Sequence, residues 1–263
     1  MNIPILQVDA FTDTPFKGNS AAICLLTDLK NDAWHQSLAT EMNLSETAFL
    51  SKQQDGYNLR WFTPAVEVDL CGHATLASTH ALKEMGLIQE DEKVSYFTRS
   101  GKLISTIRNG KIELNFPSEP CQQCPAPPDL LDGLNIQPTF IGKNRMDYLV
   151  EVETEKEVQE LKPDFARLSN LGLRGVMVTA KSSSNERDFV SRFFAPGSGI
   201  DEDPVTGSAH CCLAPYWAEK LGNTKLRAHQ ISQRGGKLDL ELLNDRIILK
   251  GQAVTIFKGE LCI

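Results

Sequence analysis

RWFTPAVEVDLCGHATLAS, residues 60–78, is the stretch on which the fold turns. It reads as a strand ending at Trp61-Phe62, a Thr63-Pro64 break and a polar descent into Cys71-Gly72-His73-Ala74-Thr75. A helix is then predicted over Ala74 to Met85, with Gly86 where helices take a left-handed closing residue. The second half repeats the pattern. RFFAP (192–196) matches RWFTP (60–64) at an offset of 132 residues, and TGSA (206–209) matches CGHA (71–74) at an offset of 135. Two copies of strand, proline break, loop, glycine and helix predict a duplicated half and a site shared between the halves.

Bulk properties narrow the function. The 263 residues suffice for one large domain or two ordinary ones. A hydrophobic content of 41% and a charged content of 23% are those of a soluble globular protein. The net charge of −7, with no basic run, argues against nucleic acid or an anionic membrane surface as partner. Met1-Asn2-Ile3-Pro4 lacks the charged and apolar regions of a signal peptide, and no apolar run approaches the roughly 20 residues of a membrane span. The expected location is cytoplasmic. Seven cysteines without a regular framework are expected to be reduced thiols. Cys121-Gln-Gln-Cys124 is a lone CxxC beside proline-rich sequence, with no second pair at finger spacing, and zinc is not expected there.

Working outward, Ile5–Phe11 and Ala21–Leu26 read as strands joined through Phe16-Lys17-Gly18-Asn19-Ser20, whose simplest reading is a hairpin turn. Asn31 or Asp32 caps a helix with Trp34, Leu38 and Met42 on one face. That helix leads into Asn43-Leu44-Ser45-Glu46-Thr47, with Glu46 at the mouth of an apolar strand. Asn109-Gly110 marks a hairpin between Leu103–Arg108 and Lys111–Phe116. The proline-rich stretch 117–128 reads as a linker. It separates an N-terminal half, 1–118, from a C-terminal half, 129–263, whose last strand can pack back on the first half. In the second half Pro215 lies inside the predicted helix and is expected to kink or shorten it.

Both repeat units place glycine and a small residue at a helix start, where unpaired N–H groups and the helix dipole favour a carboxylate or phosphate. The same glycines also suit plain tight turns. Glu46 is the sharpest single candidate, because desolvation raises a carboxyl pKa toward the range of proton transfer. A solvent-facing strand-edge Glu is the plainer alternative. His73 is placed to donate to a ligand or transfer a proton, and Asp203 either does chemistry or caps a helix with Pro204 at its first position. Ser208 can bind a ligand or satisfy backbone. Cys71, His73 and His80 make a poor metal set, since the histidines are seven apart and no nearby carboxylate completes it. A Cys71 nucleophile with His73 lacks an evident orienting Asn or Asp. No GxGxxG or phosphate-binding loop supports a nucleotide cofactor.

NLSETAF (43–49), RWFTP (60–64), CGHATLA (71–77) and DEDPVTGSA (201–209), with FKGNSAA (16–22) and QISQRGG (230–236), together resemble the phenazine-biosynthesis, PhzF-like family of isomerases over nearly the whole chain. The resemblance implies an α+β, diaminopimelate-epimerase-like fold: two pseudo-symmetric halves, each a curled, mostly antiparallel sheet around a central helix. It also implies cofactor-free and metal-free proton transfer on a small carboxylate, and a homodimer. Glu46 matches the acid/base of the family, Gly72 and His73 its first substrate loop, and Asp203, Gly207 and Ser208 the other wall. His73 and Asp203 would orient the substrate and assist protonation. The epimerases of this fold oppose two cysteines; here Cys71 occupies one such position and Thr206 the other. Isomerisation is therefore favoured over an epimerase or racemase using Cys71, with a non-catalytic binding protein on the same fold as the third alternative.

Overall fold

The computed structural model describes residues 3–28 and 30–262. The chain opens with β1 (Ile3–Ala10), β2 (Asn19–Leu26), α1 (Asp32–Met42), β3 (Glu46–Gln53), β4 (Gly56–Phe62), β5 (Glu67–Val68) and α2 (Gly72–Glu84). Then come β6 (Lys93–Thr98), β7 (Gly101–Arg108), β8 (Lys111–Pro117), β9 (Gln122–Gln123) and α3 (Pro128–Leu134). They are followed by β10 (Phe140–Lys143), β11 (Asp147–Glu151), α4 (Glu155–Glu160), α5 (Phe165–Leu168), β12 (Gly175–Lys181), β13 (Phe189–Ala195) and β14 (Ile200–Asp203). The chain closes with α6 (Gly207–Leu221), β15 (Lys225–Gln230), β16 (Gly236–Leu243), β17 (Arg246–Gly251) and β18 (Ala253–Leu261). Two compact units divide it: Met1–Phe116 with Leu249–Ile263, and Pro117–Ile248. No helix among the described residues is long and apolar enough to cross a membrane.

Strand pairing shows the duplication more fully than the repeated letters. In the first unit β1 and β2 are antiparallel, β2 and β3 parallel, β3 and β4 antiparallel, β4 and β6 parallel, and β6 and β7 antiparallel. In the second unit β10–β11, β11–β12, β12–β13, β13–β15 and β15–β16 run through the same alternation in the same order. A parallel joint cannot be closed by a hairpin and needs a crossover. Here α1 and α2 make the two crossovers of the first unit, while α4 with α5, and then α6, make those of the second. The α+β fold of two pseudo-symmetric halves is thus present, with two parallel joints in each half.

Each repeated RxF strand also keeps its arginine in one environment. Arg60 forms a two-pronged pair with Glu67 at 2.7 Å on both arms and lies over the Phe62 ring. Arg192 does the same with Glu202 at 2.7 and 2.8 Å, over Phe194. The planar guanidinium suits both a carboxylate fork and an aromatic face.

The crossover helices α2 and α6 are buried along most of their length. Ala74, Ala77 and Ala81 of α2 bring little bulk toward the surrounding strands, and Leu76 and Leu82 fill the remaining space. Thr75 and Ser78 donate to the carbonyls of Cys71 and Ala74, while Thr79 Oγ1 lies within hydrogen-bond distance of Thr75 O and of the Tyr96 and Ser105 hydroxyls on the strands. In α6 the corresponding bulk comes from Leu213 and Trp217.

Pro215 neither shortens nor stops α6, which continues to Leu221. Proline has no N–H, so the Cys211 carbonyl four residues earlier loses its helical donor. Glu119 N supplies that bond at 2.9 Å. The stretch 117–128 is accordingly no loose tether. Ser118 N donates to Asp245 O, the Glu119 carboxylate pairs with Arg145, and β9 pairs with β10.

Leu76→Ala and Leu213→Ala, each removing a side chain with no solvent exposure, should each cost about 2–5 kcal/mol in urea unfolding. Leu87→Ala, at 46% exposure, should stay within about 0.5 kcal/mol of wild type. Equal small losses at all three positions would contradict the packed-helix account.

Candidate active site

The first-unit locus is built by three elements. Between β1 and β2, buried Asp9 accepts a hydrogen bond from Phe16 N at 2.8 Å. Gly18 follows at φ +66°, where a Cβ would lie 2.1 Å from the Ala10 carbonyl oxygen, so only glycine closes this turn. The turn delivers Asn19 as the first residue of β2, with its side-chain amide 3.1 Å from His73 Nδ1. Glu46 is the first residue of β3, in parallel register with Ala21. His73 is the second residue of α2, which begins at Gly72 rather than Ala74, so His73 belongs to the first helical turn and not to the preceding loop.

Glu46 Oε2 lies 2.9 Å from His73 Nε2, and Cys71 Sγ lies 3.5 Å from His73 Nδ1. All three residues are buried. The carboxylate that no neighbouring sequence offered to Cys71 and His73 is therefore Glu46, and the asparagine that seemed missing beside them is Asn19. His80 is engaged elsewhere, with Nε2 3.0 Å from Thr255 Oγ1. The Glu46–His73 contact is an ion pair by distance whose angle falls short of a hydrogen bond, so the hydrogen-bonding capacity of Oε2 and Nε2 is not filled within the protein.

Ligand atoms of Glu46, Cys71 and His73 fall within 4.8 Å of one another, which is metal-site spacing. The imidazole, however, turns one nitrogen to the thiol and the other to the carboxylate. A single cation would take only one of those nitrogens, whereas a proton can pass along all three groups. Burial alone would push the His73 imidazolium down, but Cys71, to the extent that it is ionised, and the Glu46 carboxylate more than offset it, and its pKa lies well above the ordinary histidine value. Burial pushes the Cys71 thiol up, and Glu46 adds to that while His73 opposes it. The Asn19 amide nitrogen faces Nδ1 at 3.1 Å and can donate to it when that ring nitrogen carries no proton.

The second-unit locus gathers Asp203, Thr206, Gly207 and Ser208 at the start of α6. Asp203 is not the helix cap proposed from the Asp-Pro pair. Thr206 occupies that position, and its hydroxyl donates to Asp203 Oδ2. Gln230, fully buried at the end of β15, holds the loop from behind. Its Oε1 accepts from Thr206 N at 2.8 Å, and its Nε2 donates to Asp203 O at 2.6 Å. Ser232 Oγ donates to Pro204 O, and Gly235 N donates back to Ser232 Oγ. One turn into the helix, buried His210 donates from Nδ1 to Thr206 O at 2.8 Å, and burial pushes its pKa down to about 4. Asn19 and Gln230 are thus residues that reasoning on single positions passed over. The available signal was their place in the FKGNSAA and QISQRGG stretches.

A family model described as phenazine biosynthesis-like protein matches residues 8–259. An uncharacterized isomerase of Halalkalibacterium halodurans is 54% identical over the full length of both chains. A crystal structure of a phenazine biosynthesis protein of the PhzF family from Enterococcus faecalis superposes with a TM-score of 0.95 at 41% identity, covering 100% of each chain. A predicted epimerase from Pseudomonas aeruginosa shares the fold, with a TM-score of 0.77 at 19% identity over 99% of each chain. The chain belongs to the phenazine biosynthesis-like, PhzF-type family.

A raised folded pKa means that charged His73 stabilises the fold. That contribution is complete below the unfolded value of about 6.5 and is lost as pH rises through the folded one. NMR titration of the His73 ring, assigned with His73→Asn, should show a midpoint well above 6.5, falling in Glu46→Gln. A midpoint unmoved by the substitution would remove Glu46 as a cause. Gln230→Ala leaves a buried N–H and a buried carbonyl without their partner and should cost about 1–3 kcal/mol in chemical unfolding.

Proposed function

We propose that this member of an isomerase family is a cofactor-independent isomerase that moves a proton on a small carboxylic acid, with Glu46 as acid and base. The observation that carries the reading is the buried Glu46–His73 pair at 2.9 Å at the start of a buried helix. The carboxylate lies 2.9 Å from an imidazole nitrogen, so a proton it removes has a neighbour that can share it. Glu46 takes the proton from one carbon and returns it at another atom, and His73 supplies the compensating positive charge and a donor from Nε2. Gly72 leaves the first turn of α2 open to a ligand. Gly207, Ser208 and the first N–H groups of α6 are suited to the substrate carboxylate, with Asp203 as an orienting group.

Isomerisation is favoured over two-thiol inversion because Thr206 stands where the second thiol would be, and its hydroxyl is committed to Asp203. The epimerase reading rests on Cys71 Sγ at 3.5 Å from His73, which makes the thiol a second proton carrier on that imidazole. A binding protein that does no chemistry is the remaining reading, and the same measurement separates all three.

Solvent deuterium uptake, read by mass spectrometry over a panel of amino acids and cyclic unsaturated acids, tests this. Wild type should label one carbon of a substrate, and Glu46→Gln should slow labelling by about 10²–10⁴-fold. Label at an inverted stereocentre that is abolished by Cys71→Ser supports the epimerase. Undiminished uptake in Glu46→Gln overturns the assignment of the base. Acids that bind without any exchange favour the non-catalytic reading.

A further inference from the structure

Two cysteine motifs that this reaction does not use meet in the second unit. The first is the CxxC of residues 121–124, and the second is Cys211-Cys212 in α6. In sequence, Cys121 pairs most simply with Cys124. The fold separates them. Gln122 and Gln123 form β9, with Gln123 opposite Gly142 of β10, so the chain is extended between the two thiols. Three residues of strand span about 10 Å, and an odd spacing sends the side chains to opposite faces. A disulfide needs Cα atoms within about 7 Å.

Cys121 instead lies toward the helix, where its thiol and that of Cys212 perturb each other's ionisation. The approach is held by backbone. The Cys211 carbonyl, left without a helical donor by Pro215, accepts from Glu119 N at 2.9 Å, and Arg145 grips the Glu119 carboxylate. That anchor sits two residues before Cys121 and one before Cys212. The two thiols are unlike. Cys212 is fully buried, whereas Cys121 is partly exposed. The neighbouring Cys212 thiol draws the Cys121 thiol below its ordinary range against the opposing effect of burial, and Cys121 together with burial pushes Cys212 up. Cys121 is therefore both the readier thiolate and the one a small oxidant reaches, while Cys212 keeps its proton beside it.

We propose that Cys121 and Cys212 form a peroxide-sensitive thiol pair, in which Cys121 is oxidised and Cys212 resolves it to a disulfide within the second unit. The Cys121 thiolate attacks one oxygen of hydrogen peroxide; an S–O bond forms, the O–O bond breaks, and hydroxide leaves to be protonated to water. The sulfur, oxidised by two electrons, is then a sulfenic acid. The Cys212 sulfur attacks it, the S–S bond forms, the S–O bond breaks, and the departing hydroxide takes the Cys212 proton as a second water. Two thiols and one peroxide give one disulfide and two waters. The bond ties the segment ahead of α3 to the helix that carries Thr206, Gly207 and Ser208.

The full-length chain is exposed to stoichiometric hydrogen peroxide, alkylated under denaturing conditions, digested and sequenced by mass spectrometry. Wild type and Cys124→Ser should both yield a Cys121–Cys212 cross-linked peptide, two hydrogens lighter than the reduced pair. Cys121→Ser, at a partly exposed position, should fold and give no cross-link. Cys212→Ser should trap the Cys121 sulfenic acid as a dimedone adduct that wild type does not accumulate. If Cys212→Ser does not fold, the comparison of Cys121→Ser with Cys124→Ser decides. A 121–124 disulfide, loss of the cross-link in Cys124→Ser, or Cys121 advancing to sulfinic acid without any disulfide in wild type would each overturn the assignment.

Discussion

Each unit buries a helix along most of its length, and the polar mouth of that helix must therefore be met by groups that the surrounding strands deliver. The rest of the structure depends on this constraint. Around α2 the strands supply Asn19 from β2 and Glu46 from β3, both to His73. Around α6, β14 supplies Asp203 and β15 supplies Gln230, both to Thr206. An unmet polar group at such depth costs about 1–3 kcal/mol, so the strands that wrap the helix also have to fit its first turn.

How much of this could be read in the sequence depended on the distance over which a residue acts. The repeat of RxF and a proline 132 residues apart, the Asn109-Gly110 hairpin and the Gly86 helix end are local signals, and the structure carries all of them as read. The family membership expected from the ordered motifs is likewise shown. The partner of His73 was a different matter. Glu46 and His73 are joined only because β3 lies parallel to β2 with α1 as the crossover, and no spacing within either motif encodes that register. Glu46 was singled out for its own setting, and His73 for its own, without the pair being visible. Asn19 was passed over because Gly-Asn is also a good turn, and both descriptions hold: Gly18 makes the turn and Asn19 uses it. For Asp203 the sequence leaves a cap ahead of Pro204 open beside a chemical role, because Asp-Pro is a common helix start. The buried Thr206 took that position, and Gln230 fixed it there.

Pro215 shows the same logic in reverse. A proline inside a helical pattern argues for a break, and α6 has none. The missing N–H is compensated from outside the helix, by Glu119, and the lost bond becomes an attachment point for a segment that composition alone marks as a linker. Propensity was overruled because the buried face of α6, with Leu213, Ala214 and Trp217 fully or almost fully buried, holds the helix together on both sides of the proline.

The two halves agree in architecture and differ in the residues at their helix mouths, and that difference bears on the proposed reaction. The pairing order of the strands, the arginine forks and the buried crossover helices recur. The residues at the helix mouths do not. The first half places a thiol, an imidazole and a carboxylate in mutual contact, with an imidazolium favoured. At the matching positions the second half has Thr206 for Cys71 and Ser208 for His73, and its buried His210 is pushed down to about 4 with its Nδ1 proton given to a backbone carbonyl. Inversion at one carbon by two opposed thiols asks both halves for proton carriers of like kind. A single carboxylate that removes a proton and returns it asks only one half for them, and the other for fixed hydrogen bonds. The unequal decoration of an otherwise repeated frame is the ground on which the single-carboxylate reading is proposed.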